Sequence, residues 1–392
     1  SMVSLVLIRK AVSKPIEVKA IREEILLSSV PYYGMLPGDI GYIRLAGETR
    51  GSADDVKEAL LSLKSQHKLK GLILDLRGNI GGYMNEAIRT VNLFVEKGRP
   101  ILSIRSWYHD TTYYLPEEAI DTKLPLAVLT DTMTASSAEI LSGALQDHDR
   151  GVIIGQKTFG KGLIQQLFDM PGGEMLSITT GYYHTPSGRC IQRKEYDKKR
   201  EGELIADSLK KYFHTRNGRS VIDHDGVVPD VIIRIPAKAG ITQALSDPWS
   251  YDHVFRFASQ YVSAHPTIAP AATFRISDAD YNAFVNFLQT ERLTIPGVSD
   301  AKLDDLVKAL EQQGYQNLGS AEIEKIRQQL TIEKEKEFYR YKDELKELVE
   351  REIAALYYFN WGRVENSLKN DVVIRKAAEI LGNRQQYADI LK

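Results

Sequence analysis

Gly71-Leu72-Ile73-Leu74-Asp75-Leu76-Arg77-Gly78-Asn79-Ile80-Gly81-Gly82 runs from a buried strand, GLILDLR at 71–77, into a glycine-rich turn, and a helix is expected beyond it at about 84–96. Outward from this stretch the pattern repeats. GDIGYIRL and a helix from Ser52 to about Lys68 precede it; strands near 100–108 and 124–130, a helix near 136–147 and the strand GVIIG at 151–155 follow. Such alternation predicts crossover helices and a largely parallel sheet, an α/β class. Ser52 with Asp55 reads as a capping-box variant ahead of the apolar stripe Val56, Ala59, Leu60 and Leu63.

The flanks read differently. Residues 3–9 and 16–23 look like two short strands around the break Ser13-Lys14-Pro15, too little for an independent sheet. After Lys161, LIQQLFD and MLSITTGYY are separated by Met170-Pro171-Gly172-Gly173, a hairpin signal. Residues 193–217 are charged and read as a solvated excursion. Helical periodicity takes over beyond about 237, and eighteen of the thirty-two residues from Ala321 to Glu352 are charged, with both signs mixed. Leu330, Phe338, Tyr341, Leu345, Leu348 and Val349 form one buried stripe there, which fits a helix packed on its own chain better than a coiled coil, because no heptad register is sustained.

Composition excludes several classes. Lys plus Arg number 51 against 52 Asp plus Glu, so no global charge favours nucleic acid or an anionic membrane. The longest apolar run, Ile353 to Phe359, is far below the roughly 20 residues of a membrane span. A single cysteine, Cys190, allows neither an internal disulfide nor a CxxC site. No signal peptide is recognisable ahead of the first strand, and Ser1-Met2 reads as a cloning remnant.

The glycine turn at 78–82 opens a helix, where unpaired backbone N–H groups can hold an anion, yet neither GxGxxG nor the Walker pattern is met. Thr134-Ala135-Ser136-Ser137-Ala138-Glu139-Ile140 follows the strand LPLAVLTD, and on spacing alone Ser136 reads as a helix N-cap. Lys161 lies between Gly160 and Gly162, glycines that let the backbone pass close to another element. A desolvated lysine amine beside a serine can serve as its base. Histidine is the competing base: His148 stands at the far end of the Ser136 helix, about 18 Å away at 1.5 Å per residue, which leaves His184. No HExxH or comparable metal cluster exists.

Together DLRGNIGG (75–82), TASSAEI (134–140), ALQD (144–147) and GQKTFGKGLIQQ (155–166) resemble the C-terminal processing proteases, also called tail-specific proteases, a serine/lysine peptidase family. GYYHTPSGRCIQ (181–192) and GVVPD (226–230) extend the resemblance over about 28–236. It implies a ClpP/crotonase-like core with mixed sheets and crossover helices at 28–236, the last strands of a PDZ domain at 1–27 and a helical extension at 237–392, which in longer members is connected with dimer formation. It also implies Ser136 as nucleophile, Lys161 as general base, Gln165 orienting the lysine, and an oxyanion hole of backbone N–H groups from Gly81, Gly82 and Ser137. Where the family commonly writes SASASEI this chain has TASSAEI, so Ser137 adjoins the nucleophile. The implied activity is endoproteolysis of protein substrates near accessible C-termini, without cofactor or metal, in an exported protein of the bacterial periplasm or cell envelope. The rival readings are an inactive peptide- or ligand-binding scaffold of the same fold and an assembly piece acting through the charged helices.

Overall fold

The computed structural model describes residues 1–8, 14–23, 25, 28–106, 109–194, 202–247, 252–291, 293, 297–315 and 318–392. β1 (Met2–Leu7) and β2 (Ile16–Ile21) form an antiparallel hairpin whose side chains are mostly exposed. β3 (Tyr32–Leu36), β4 (Ile40–Arg44), α1 (Ser52–Gln66), β5 (Gly71–Asp75), α2 (Met84–Asn92), β6 (Pro100–Ser106), β7 (Asp110–Tyr114), β8 (Leu126–Thr130), α3 (Ser137–Asp147) and β9 (Val152–Gly155) follow. Then come β10 (Leu163–Asp169) and β11 (Met175–His184), the short pair β12 (Tyr212–His214) and β13 (Ser220–Ile222), and β14 (Val231–Ile232).

The central sheet has the order β14-β9-β8-β5-β4-β3 and is parallel except for the antiparallel edge pair β3–β4. A second, antiparallel sheet runs β10-β11-β6-β7. The apolar runs at β5, β8 and β9 are wholly buried because both faces of these strands are covered. On one face Leu72, Leu74, Val128 and Ile153 meet α1, α2 and α3 through Leu60, Val91, Leu141 and Leu145.

The helical segment comprises α4 (Gly240–Leu245), α5 (His253–Ala264), α6 (Asp278–Thr290), α7 (Val298–Gln312), α8 (Ser320–Arg340), α9 (Lys342–Ser367), α10 (Val372–Gly382) and α11 (Arg384–Ile390). Its own core joins Phe257, Tyr281, Phe284, Leu345, Val349 and Ile353. Its end returns to the sheet: Val373, Ile374, Ala377, Ile380 and Leu381 of α10 cover Tyr42, Ile73, Leu129, Val152 and Ile154 on the second face. The contact is close enough that a side-chain carbon on Gly71 would meet Leu381 at 3.1 Å.

Some local expectations are corrected. Asp55 does not cap α1; its Oδ2 accepts from Ser28 Oγ (2.9 Å) and Ser29 N–H (2.8 Å) on the incoming chain. Glu86 of α2 instead accepts the Ala53 N–H at 3.0 Å. α2 stops at Asn92, whose side chain turns to the backbone of Glu117. The charged stretch from 321 is two helices, α8 and α9, separated at Tyr341 (φ −109°, ψ 28°), and α9 breaks again at Tyr358–Phe359. Of the charged excursion at 193–217, residues 195–201 lie outside the described residues.

Because α10 supplies one layer of the sandwich, Ile380→Ala should destabilise the whole chain by about 2–5 kcal/mol, as expected for an unrelieved core cavity. Chemical unfolding followed by circular dichroism measures this.

Candidate active site

β5, β8 and β9 are adjacent parallel strands, so the turns that leave their C-terminal ends share one edge of the sheet. These turns carry Gly78–Gly82, Asp131–Ser136 and Gln156–Gly162 in that order. Carboxyl ends of parallel strands are where such sheets place their sites.

Ser136 immediately precedes α3 and has φ 58° and ψ −122°, a conformation that side-chain-bearing residues rarely adopt. Holding it costs on the order of 1–3 kcal/mol, so the surroundings must fix it. Glu139, one turn into α3 and fully buried, does so from the N–H side: its Oε2 accepts both the Ser136 N–H (3.0 Å) and the Lys161 N–H (2.8 Å). Its Oε1 accepts Thr158 Oγ–H (2.5 Å) and the Gly160 N–H (2.7 Å). Burial raises the Glu139 pKa, and these donors work against that rise.

The carbonyl side has its own partner. Tyr183 Oη lies 2.8 Å from Ser136 O and 2.6 Å from Lys161 O. The glycines around Lys161 are explained by the segment at 192–193 beside them: side chains there would strike Arg193 from Gly160 and the Gln192 N (2.9 Å) from Gly162.

Gly81 packs under the serine, where an added side-chain carbon would come within 2.8 Å of Ser136 Cβ, and its φ is +95°. The Gly81 N–H donates to Asn79 Oδ1 (2.9 Å), and the Gly82 N–H donates to Ser137 Oγ (2.7 Å). Ser137 Oγ in turn donates to Glu48 Oε2 (3.1 Å), and Asn79 Nδ2 donates to Glu48 Oε1 (3.0 Å). Thus the two glycine amides expected to face an oxyanion are bonded to side chains in this structure. Ser137 is buried and committed to this chain of bonds, whereas Ser136 is half-buried. The Ser137 N–H starts α3 and has no preceding carbonyl within the helix to bond.

The remaining sequence candidates fall elsewhere. Gln165 is exposed on β10, and its side chain makes no hydrogen bond among the described residues. His184 lies on the opposite face of β11 from Tyr183, in a cavity of about 360 Å³ that Arg105, Cys190, Lys211 and Asp223 also line. Burial, with Arg105 nearby, pushes its imidazole down to about 4. His148 is held at the far end of α3 by Pro100 O at 2.7 Å. Among the described residues no group of three or more His, Cys, Asp or Glu is placed to hold a metal, and no helix is long and apolar enough to cross a membrane.

Behind the glycine turn, Asp75 is fully buried and receives Tyr42 Oη (2.7 Å), Arg44 (3.3 Å) and Arg77 (2.6 Å). Burial alone would raise its pKa, but Arg77 and Arg44 hold it at about 2. Arg77 also pairs with Asp371, the N-cap of α10, at 2.7 Å.

"Peptidase family S41" is the family description that matches residues 39–201. These residues form a peptidase family S41 domain. "Probable PDZ-protease, C-terminal helical domain" matches 241–381. The carboxy-terminal-processing protease of Bartonella bacilliformis is 37% identical over 195 residues, 48% of this chain and 44% of that protein. The chloroplastic C-terminal processing peptidase of Tetradesmus obliquus is 36% identical over 170 residues, 42% of this chain and 36% of that protein. This chain therefore spans less than half the length of these relatives. Among solved structures, a photosystem II D1 C-terminal processing protease overlaps 59% of this chain and 55% of its own, at 28% identity and a TM-score of 0.40.

Glu48 and Tyr183 are residues around this site to which the sequence reading gave no role, the first in a loop and the second inside the GYYHTPSGRCIQ stretch, where nothing distinguished it from its neighbours. Burial pushes the Glu48 carboxyl up to about 7. The folded chain therefore holds this proton more tightly than the unfolded chain, and the stability so gained is full below about pH 4.5 and lost as pH rises through about 7. At about 1.4 kcal/mol per pH unit the loss is up to about 3 kcal/mol. Glu48→Gln should flatten this decline, which thermal unfolding midpoints from pH 5 to 8 in both proteins will show.

Proposed function

We propose that this chain is a serine endopeptidase that processes or degrades protein substrates near their C-termini, with Ser136 as nucleophile and Lys161 as general base. One observation carries the reading: a single carboxylate oxygen of Glu139 binds the amides of both residues, setting a strained serine beside a glycine-flanked lysine. A general base must be uncharged when it takes the proton, so in this reading Lys161 acts from a site that bound substrate closes to water.

In the first half-reaction Lys161 Nζ takes the Ser136 Oγ proton as Oγ bonds to the scissile carbonyl carbon, and the carbonyl oxygen takes the negative charge. Collapse of this adduct breaks the C–N bond, and the Lys161 ammonium gives its proton to the departing amine. Water then attacks the acyl-enzyme, losing a proton to Lys161, and Ser136 Oγ leaves and is reprotonated. The Ser137 N–H is one oxyanion donor in this reading. The Gly82 N–H becomes the second when Ser137 Oγ turns to another rotamer, and Gly81 supports the turn beneath. Gln165, four residues beyond the base with its amide uncommitted among the described residues, is the candidate to orient the amine.

The proposal also takes the core as ClpP/crotonase-like, the exposed β1–β2 hairpin as part of a PDZ-like module, and the working compartment as a bacterial envelope space. Self-association belongs to it too, supported by exposed Leu306, Ile326 and Ile332 on α7 and α8. A monomer mass by light scattering would remove that part.

Ser136→Ala and Lys161→Ala should each lower hydrolysis of an unstructured protein substrate by about 10³-fold or more. A fluorophosphonate probe should label Ser136 in the wild-type chain. Hydrolysis unchanged in both variants, or labelling that persists in Ser136→Ala at the wild-type level, would sink the assignment.

A further inference from the structure

The backbones of Ser136 and Lys161 are held from two opposite sides by two different elements. Glu139, from α3, binds their N–H groups; Tyr183, from β11, faces their carbonyl groups. The Tyr183 hydroxyl has one proton and two carbonyl acceptors within 2.8 Å, so it acts as a bifurcated donor that keeps the carbonyl oxygens at positions 136 and 161 next to each other. Nothing else described reaches both carbonyls. The ring is 2% exposed and does not reach a position that a substrate could occupy. Burial, with the Glu139 and Glu48 carboxyls nearby, raises its pKa well above the ordinary value, so the hydroxyl remains a donor at any working pH.

The backbone of the same residue ties a third piece to the site. The Tyr183 N–H donates to Gly162 O at 3.0 Å, and β11 pairs with β10 directly after the lysine. Ser136 cannot keep its φ of 58° by local preference. Of the two peptide planes that meet at its Cα, the preceding one is held through its N–H by Glu139 Oε2, and the following one through its carbonyl by Tyr183 Oη together with the N–H groups of Glu139 (2.8 Å) and Ile140 (3.2 Å).

We propose that Tyr183 is a positioning residue for the proteolytic reaction, its hydroxyl fixing the peptide of Ser136 and the peptide of Lys161 in the relative geometry needed for proton transfer between their side chains. This rests on the reading of Ser136 and Lys161 as nucleophile and base. Misplacement of reacting groups by about 1 Å can cost on the order of 100-fold in rate. Substrate binding does not use Tyr183, so the loss should fall on kcat.

Tyr183→Phe keeps the ring and removes the donor. The expected result is a kcat about 10- to 100-fold lower on a reporter peptide, KM within twofold, and labelling of Ser136 by a fluorophosphonate slowed in step. The active fraction, titrated with the same probe, separates this loss from misfolding, which would lower the fraction and leave kcat per site intact. A kcat per site within twofold of wild type overturns the proposal, as does a loss that appears in KM alone. If Tyr183→Phe does not fold, 3-fluorotyrosine at position 183 keeps the hydroxyl and strengthens it as a donor. A kcat changed by twofold or more at constant KM then supports the proposal, and an unchanged kcat overturns it. Failure of the underlying reading looks different: the wild-type chain itself would not label at Ser136.

Discussion

The arrangement of this site depends on a buried carboxylate that has no positively charged partner among the described residues. Glu139 accepts four donors, three of them backbone N–H groups and the fourth the Thr158 hydroxyl. Unlike an ion pair with long side chains, this set leaves no rotameric freedom, because each backbone donor is fixed by the fold around it. Desolvation of a charge in such a place is expensive, and only a complete shell of donors makes it tolerable. The shell reaches further than its first members. Thr158 Oγ accepts the Val227 N–H at 2.7 Å, so the segment that leads into β14 is secured by the same group. On the N–H side, the conformation at Ser136 and the position of Lys161 depend on this one satisfied acceptor.

That acceptor can collect donors from distant parts of the chain because of sheet order. β5, β8 and β9 lie side by side and run in the same direction, so the three turns that leave them are neighbours although they are some 25 to 55 residues apart in sequence, as the Gly82–Ser137 contact and the pair Ser136–Lys161 show. Close approach then selects the small residues. Gly81 is needed because the turn at Ser136 lies directly on it, and Gly160 and Gly162 because the segment at 191–193 passes beside them.

Much of this was legible. The apolar runs at 71–75, 126–130 and 152–155 could be recognised as strands because both their faces are buried, and the alternation with helices gave their direction. The glycines flanking Lys161 correctly implied a close neighbour. What could not be read shares one physical cause: it consists of contacts between residues with no local pattern. Tyr183 lies within the GYYHTPSGRCIQ stretch, but next to Tyr182, and only the face of β11 that it occupies brings its hydroxyl to the carbonyls at 136 and 161. Glu48 looks like any loop glutamate until the glycine turn folds over it. Ser137 is a further case, since a second hydroxyl beside Ser136 is a competitor in sequence, whereas in the structure it is buried and bonded to Glu48.

The C-terminal helices extend the same lesson to the scale of the fold. Their sequence shows amphipathic stripes without saying what the stripes cover, and α10 turns out to cover the S41 sheet itself. The ion-pair chain Arg44–Asp75–Arg77–Asp371 joins this helix to the strand end from which the glycine turn departs. Asp75 is shared by two guanidinium groups and a tyrosine hydroxyl, and Asp371 gives Arg77 a second carboxylate, so the network is nearly balanced in charge where it is least exposed. Gly78 continues directly from Arg77 and is itself fixed by its N–H to Asp131 Oδ1 at 3.0 Å. A helix some 300 residues away in sequence therefore contributes to the rigidity of the turn beneath Ser136. An extension that merely added surface would have no reason to place its N-cap carboxylate there.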